Sequence, residues 1–202
     1  MRKPLKSREL AYLEMQSGEL SPETKDAIGG KKLIQEDEPL YVRSKITGGG
    51  EIELLTSNLN ESVGITNIDK KKLPKFVNFV INAVQFGYGA SAIANNREPV
   101  DVQYDSIITD VPVVLQHSNL IIKQNDNPIF TMPIKQLLQQ EKTRDFEGDA
   151  GYELKSPRFL KEEVPFQISI KFPDGKALPA GVVDHFVEIN LKGMRTRLRG
   201  AK

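Results

Sequence analysis

Residues 182–200 read VVDHFVEINLKGMRTRLRG and alternate with a period of two. Val183, His185, Val187, Ile189 and Leu191 fall on one side of an extended chain. Beyond Gly193 the same side continues as Arg195, Arg197 and Arg199. Successive side chains of a strand point to opposite faces, so this is a strand with one face on an apolar core and a far end that leaves it. A second run, EVPFQISIKF (163–172), places Val164, Phe166, Ile168, Ile170 and Phe172 on one face. Strands of this kind are not stable alone. They require further strands and a shared buried face, which restricts the chain to a sheet-rich fold.

The rest of the chain supplies those partners from Gly50 onward. GEIELLT alternates, and PVDVQYDSI and TDVPVVLQ read as short strands, the second demoted to an edge or bulge by Pro112. LPKFVNFVINAVQFGYG (73–89) fits a helical spacing as well as a strand. Its three Phe, three Val and one Ile favour a strand buried on both faces. SNLIIKQNDNPIFTMP carries two apolar runs around QNDN and predicts a tight hairpin. PIKQLLQQEK predicts a short helix opened by Pro133, with Ile134, Leu137 and Leu138 inward. TRDFEGDAGYELKSP reads as a long polar loop, and PDGK as a turn. The sum is an antiparallel β-sandwich of about eight strands with one short helix, and uneven connections favour a jelly roll.

Residues 1–48 differ. SRELAYLEMQSGEL predicts a short helix capped by Ser7, and SPETKDAIGG a second, capped by Ser21 with Pro22 first and Gly29-Gly30 as the stop. Little here buries apolar area by itself. The reading is an N-terminal arm over 1–48 and a sandwich domain over 49–202.

Composition narrows the chemistry. There are 28 Lys+Arg against 27 Asp+Glu, so a surface that coats nucleic acid everywhere is not expected and any anion binding is local. With no Cys there is no disulfide, thiolate ligand or thiol nucleophile, which suits a reducing cytoplasm. The two His, His117 and His185, do not make a histidine-rich metal site. No apolar run reaches the roughly 20 residues of a membrane span. MRKPLKSREL lacks the apolar stretch of a secretory leader.

Candidate sites are few. IGGKK and FGYGASA have glycines without the spacing of a phosphate-cradling loop, and read as turns. Asp145, Glu147, Asp149 and Glu153 could offer oxygens to a hard cation, but lack the glycine and glutamate spacing of an EF-hand. They read first as solvated loop acids. Asp184 beside His185 imitates part of a triad, yet strand neighbours face opposite ways, so His185 reads as a core histidine and His117 as a loop residue. No nucleophile is paired with a base, so the chain is not expected to be an enzyme or to need a cofactor. The basic strand end is the one distinctive feature. Arg195, Arg197, Arg199 and Lys192, with Arg2, Lys3, Lys6 and Arg8 in the arm, form donor arrays for the phosphates or carboxylates of a partner. The competing reading is a charged strand end that blocks unwanted pairing.

The order of features resembles the single jelly-roll capsid proteins of tailless icosahedral viruses, particularly bacteriophages. It runs from LPKFVNFVINAVQFGY through NLIIKQNDNPIFTMPIKQLL and GYELKSPRFLKEEVPFQISIKFPDGKALP to HFVEINLKGMRTRLR. The resemblance implies a virion protein made in the host cytoplasm, self-assembling into capsomers of a closed shell. Its basic termini would meet packaged nucleic acid, an internal membrane surface or neighbouring copies, and no small-molecule substrate is implied. The alternative is a carbohydrate-binding or adhesive β-sandwich module, which the lack of Trp disfavours. A cupin-like enzyme would need a His/Glu metal cluster.

Overall fold

The structure is a computed structural model and describes residues 18, 20–30, 32–57, 59–139 and 151–199. Nine strands occur among the described residues: β1 (Leu33–Glu36), β2 (Leu40–Ile46), β3 (Glu51–Glu53), β4 (Phe79–Ala92), β5 (Asn119–Gln124), β6 (Asn127–Pro133), β7 (Tyr152–Leu160), β8 (Phe166–Lys171) and β9 (Val183–Leu198). Two α-helices occur among the described residues, α1 (Pro22–Gly29) ahead of β1 and the single turn α2 (Val113–Gln116) ahead of β5. Every strand pair is antiparallel. One set of pairs is nested: β2 with β9, β3 with β8, β4 with β7 and β5 with β6. These form a long ribbon doubled back at the β5–β6 hairpin. Rolling the ribbon brings β4 against β9 and β5 against β8. The result is two facing sheets, β2-β9-β4-β7 and β3-β8-β5-β6, which is a jelly roll. β1 lies end to end with β2 along the same edge of β9.

The core lies between the sheets. Val84, Phe86, Val187, Ile189 and Leu191 from the first sheet meet Leu120, Ile122, Phe166, Ile168 and Ile170 from the second. Fully burying a side chain of this size contributes about 1.5–3 kcal/mol. Phe166, Ile168, Ile170 and Phe172 are all buried, as their alternation predicts. β4 is central and buried on both faces for most of its length. Its register shifts between Ile81 and Ala83, a β-bulge at Asn82. Phe79 and Ile81 face the core before the bulge, and Val84, Phe86 and Tyr88 after it. One extra residue moves the inward positions from odd to even. Gly193 lies opposite the bulge, where a Cβ would stand 1.8 Å from the Val80 carbonyl oxygen.

Local chemistry explains the turns. Asn125 and Asp126 take φ of +50° and +63°, giving the two-residue hairpin between β5 and β6. Pro133 precedes a 3-10 turn over Ile134–Leu137, whose Ile134 and Leu137 are buried. In α1, Ser21 Oγ accepts a hydrogen bond from the Thr24 amide at 3.2 Å, and Pro22 is the first helical residue.

Four expectations need correction. PVDVQYDSI holds a 3-10 turn at Pro99–Asp101, and TDVPVVLQ is a 3-10 turn followed by α2. Pro112 starts a helical turn there instead of kinking an edge strand. YELKSP belongs to β7, because an edge strand tolerates polar residues and Pro157 where one side has no ladder partner. The boundary at residue 48 also falls after β1 and β2, which are built into the first sheet and bury Leu40, Val42 and Ile46 in the common core.

Candidate functional site

The basic end of β9 sits where the strand passes the bulge in β4. β1 pairs with it, placing Glu36 opposite Arg195 and Gln35 opposite Thr196. Arg197 Nη2 donates to Glu36 Oε1 at 2.6 Å. Arg195 Nη2 bonds to Glu38 and lies 3.6 Å from Glu36 Oε2. The Nε atoms of both arginines are buried without a hydrogen-bond partner among the described residues. Arg199 is exposed, and its backbone amide donates to the Lys32 carbonyl at 2.7 Å. Lys192 lies on the other face of β9, opposite Ala83. Two guanidinium groups are therefore engaged by acids of the same chain, and Arg199 extends past them. Arg2, Lys3, Lys6 and Arg8, and the candidate cation ligands Asp145, Glu147 and Asp149, lie outside the described residues. Glu153 is exposed on β7, and no group of three or more metal-ligating side chains occurs among the described residues.

The two histidines are separated. His117 is exposed at the end of α2. His185 is buried, with Tyr88 Oη 2.7 Å from Nδ1 and the Pro179 carbonyl oxygen 3.1 Å from Nε2. A carbonyl only accepts, so Nε2 carries the proton and Nδ1 accepts from the tyrosine. Burial pushes the Tyr88 phenol up. Asp184 turns the other way and accepts from Lys45 at 2.7 Å. Both ring nitrogens of His185 therefore have hydrogen-bond partners within the fold.

Two arrangements carry no motif in the sequence. On the outer face of the first sheet, Arg43 Nε donates to Glu188 at 2.6 Å and Nη1 to the Gly64 carbonyl at 2.9 Å. Its guanidinium carbon lies 5.6 Å from the Tyr41 ring centre and 5.5 Å from that of Tyr104. Burial pushes the Tyr104 phenol up to about 12; Arg43 acts against the shift and Glu188 with it. This clamp holds residues 102–105 over Gly89, where a Cβ would meet Val102 Cγ1 at 2.4 Å. The second arrangement surrounds Glu162, a buried carboxylate. It accepts from Ser21 Oγ at 2.7 Å, from Thr24 Oγ1 at 2.5 Å and from the Phe76 amide. Only pairing of α1 with the β7–β8 connection reveals it, since 141 residues separate Ser21 from Glu162.

Family models, curated proteins and solved structures give no match to this chain. The functional reading therefore rests on the geometry. An open cleft of about 440 Å³ runs between edge strands β6 and β7, floored by Ile129, Met132 and Tyr152 and flanked by Arg158. Arg158 Nε donates to the Ile129 carbonyl at 2.8 Å, tying the two sheets together across the cleft. Chemically these surfaces offer apolar contact and paired charge, which suits recognition of a protein surface. No helix among the described residues is long and apolar enough to cross a membrane.

Proposed function

We propose that this protein is a structural subunit that associates with copies of itself to build a closed shell, as a virion capsid protein does. The observation that carries the reading is the strand order β2-β9-β4-β7 facing β3-β8-β5-β6. That architecture serves capsid proteins, lectins and cupins. A metal cupin needs a cluster of ligating side chains, whereas His185 here is held by Tyr88 and Pro179 and lies apart from His117. A glycan-binding module displays open aromatic rings. Among the described tyrosines, Tyr41 and Tyr104 flank Arg43, Tyr88 is buried at His185, and Tyr152 packs against the core. Self-association is favoured because it requires matching surfaces on every copy and no catalytic centre. The role is non-enzymatic and needs no cofactor. Packaged nucleic acid or an internal membrane surface would meet the protein through Arg199 and the N-terminal basic residues.

Light scattering over a range of concentration and salt tests this. Trimers, pentamers, hexamers or shells support a shell subunit. A monomer at every concentration overturns it and makes the glycan-binding reading the one to pursue with a glycan screen.

A further inference from the structure

Helix α1 lies against the outer face of the first sheet, away from the main core. A separate small cluster serves it: Leu20 with Val80 and Met194, and half-buried Phe159 beside them. Leu20 precedes the helix, and Thr24 and Ala27 are the buried side chains of α1 among those described. This is little apolar area for an element that must stay in place. The stronger hold is polar. Glu162 is only 3% exposed and takes Ser21 and Thr24 of α1 on the same oxygen, while its other oxygen takes the Phe76 amide. Phe76 has φ of +68°, a conformation unusual for a bulky residue. The Glu162 amide donates to Asn78 Oδ1 at 3.0 Å, and Thr196 Oγ1 donates to the Phe76 carbonyl at 2.8 Å. The carboxylate therefore gathers α1, the lead-in to β4 and the end of β9 at one point. No cation pairs with it among the described residues; the nearby Lys75 is 3.8 Å from Glu23 of α1, an exposed pair. Lys161 and Glu163 are its chain neighbours.

We propose that α1 is a strap latched by the Glu162 carboxylate, and that it opens independently of the jelly roll when that charge is lost. Three neutral donors are aimed at one buried carboxylate; protonation puts a donor on one of its two oxygens, so at least one of the three bonds is lost and the others lose the assistance of the charge. Burial raises the carboxyl value, but the hydrogen bonds from Thr24, Ser21 and Phe76 outweigh it, so the folded value lies below the ordinary 4.5. A lowered value makes the latch fully present above the ordinary carboxylate range. It is lost as pH falls through the folded value. Under the shell-subunit reading, on which this last step rests, an open strap would free α1 to reach a neighbouring copy.

Hydrogen exchange on the full chain at neutral pH tests the strap. In Glu162→Gln, amides of residues 23–30 should exchange about tenfold faster or more, with β5, β8 and β9 unchanged. Ser21→Ala with Thr24→Val should give the same pattern with the acid in place, and decides the matter if Glu162→Gln does not fold. The wild type should show the pattern only once pH has fallen through the folded value, which lies below the ordinary 4.5, and not at neutral pH. Unchanged protection of 23–30 in the folded variants overturns the strap, as does a rise shared by the core strands. Scattering mass on the same samples separates the two ideas. A monomer with an opening helix removes the shell reading and keeps the strap.

Discussion

At the scale of the residue, Gly193 is the most constrained position. A Cβ there would overlap the Val80 carbonyl at 1.8 Å, and backbone atoms cannot swing aside as a side-chain tip can. Gly193→Ala should cost at least about 3 kcal/mol, read as a lower urea midpoint at unchanged slope. The hairpin turn offers the opposite case. Asp126 adopts φ of +63°, which an L-residue enters at some cost and glycine does not. Asp126→Gly should stabilise the protein by about 0.5 kcal/mol and raise Tm by about 1–2 °C in calorimetry. The turn was legible in the sequence because QNDN carries its own conformational preference. The bulge that makes Gly193 obligatory was not legible, since nothing in the residues around Asn82 announces a shift of register.

At the scale of the element, β1 depends on the arginines of β9. Arg197 and Glu36 are each about a third exposed or less buried than a core pair, with side chains 38% and 26% accessible, so their bond is partly screened. Replacing Arg195, Arg197 and Arg199 with Ser should leave the jelly roll folded and cost about 1 kcal/mol or less per pair. The loss should show as faster hydrogen exchange confined to residues 33–36. An accompanying fall in scattering mass would mark the same strand end as part of an interface. The segment held by Arg43 gives a second test. The raised Tyr104 phenol favours the folded state while neutral, so its contribution is present below the ordinary value of 10.0 and is lost as pH climbs towards about 12. Absorbance titration should show a late-ionising tyrosine that moves back towards 10.0 in a variant freeing residues 102–105, such as Gly89→Val. Sequence patterning failed for this segment: its Val and Tyr content suggested a strand, but Val102 and Tyr104 are used to cover the glycines of β4.

At the scale of the whole molecule, the nested pairing lets a chain of alternating strands bury one face of each without an inserted helix. It also leaves β6 and β7 as open edges on one side of the roll, joined across a cleft by Arg158. A shell subunit would use such surfaces for neighbours, and the mass measured across concentration and salt is the test at this scale. Arg158→Ala should leave both sheets paired but widen the cleft. A consequent shift in the association midpoint would place that edge in a subunit contact, and an unchanged midpoint would exclude it.

The alternation of 163–172 and 182–191, the Asn-Asp turn, the Ser-Pro helix start and the absence of Cys depend on neighbours a few residues away, so the sequence by itself determined the β class, the hairpin and α1. What the arginines of β9 face, what surrounds Glu162 and which strand lies beside which depend on groups separated by 100 residues or more, such as Glu36 and Arg197 or Ser21 and Glu162. Periodicity reports which face of a strand is buried and carries no information about what lies across from it. The partner of a long-range contact is chosen when the ribbon rolls up, so only the tertiary structure decided that the arginine face meets the chain's own acids.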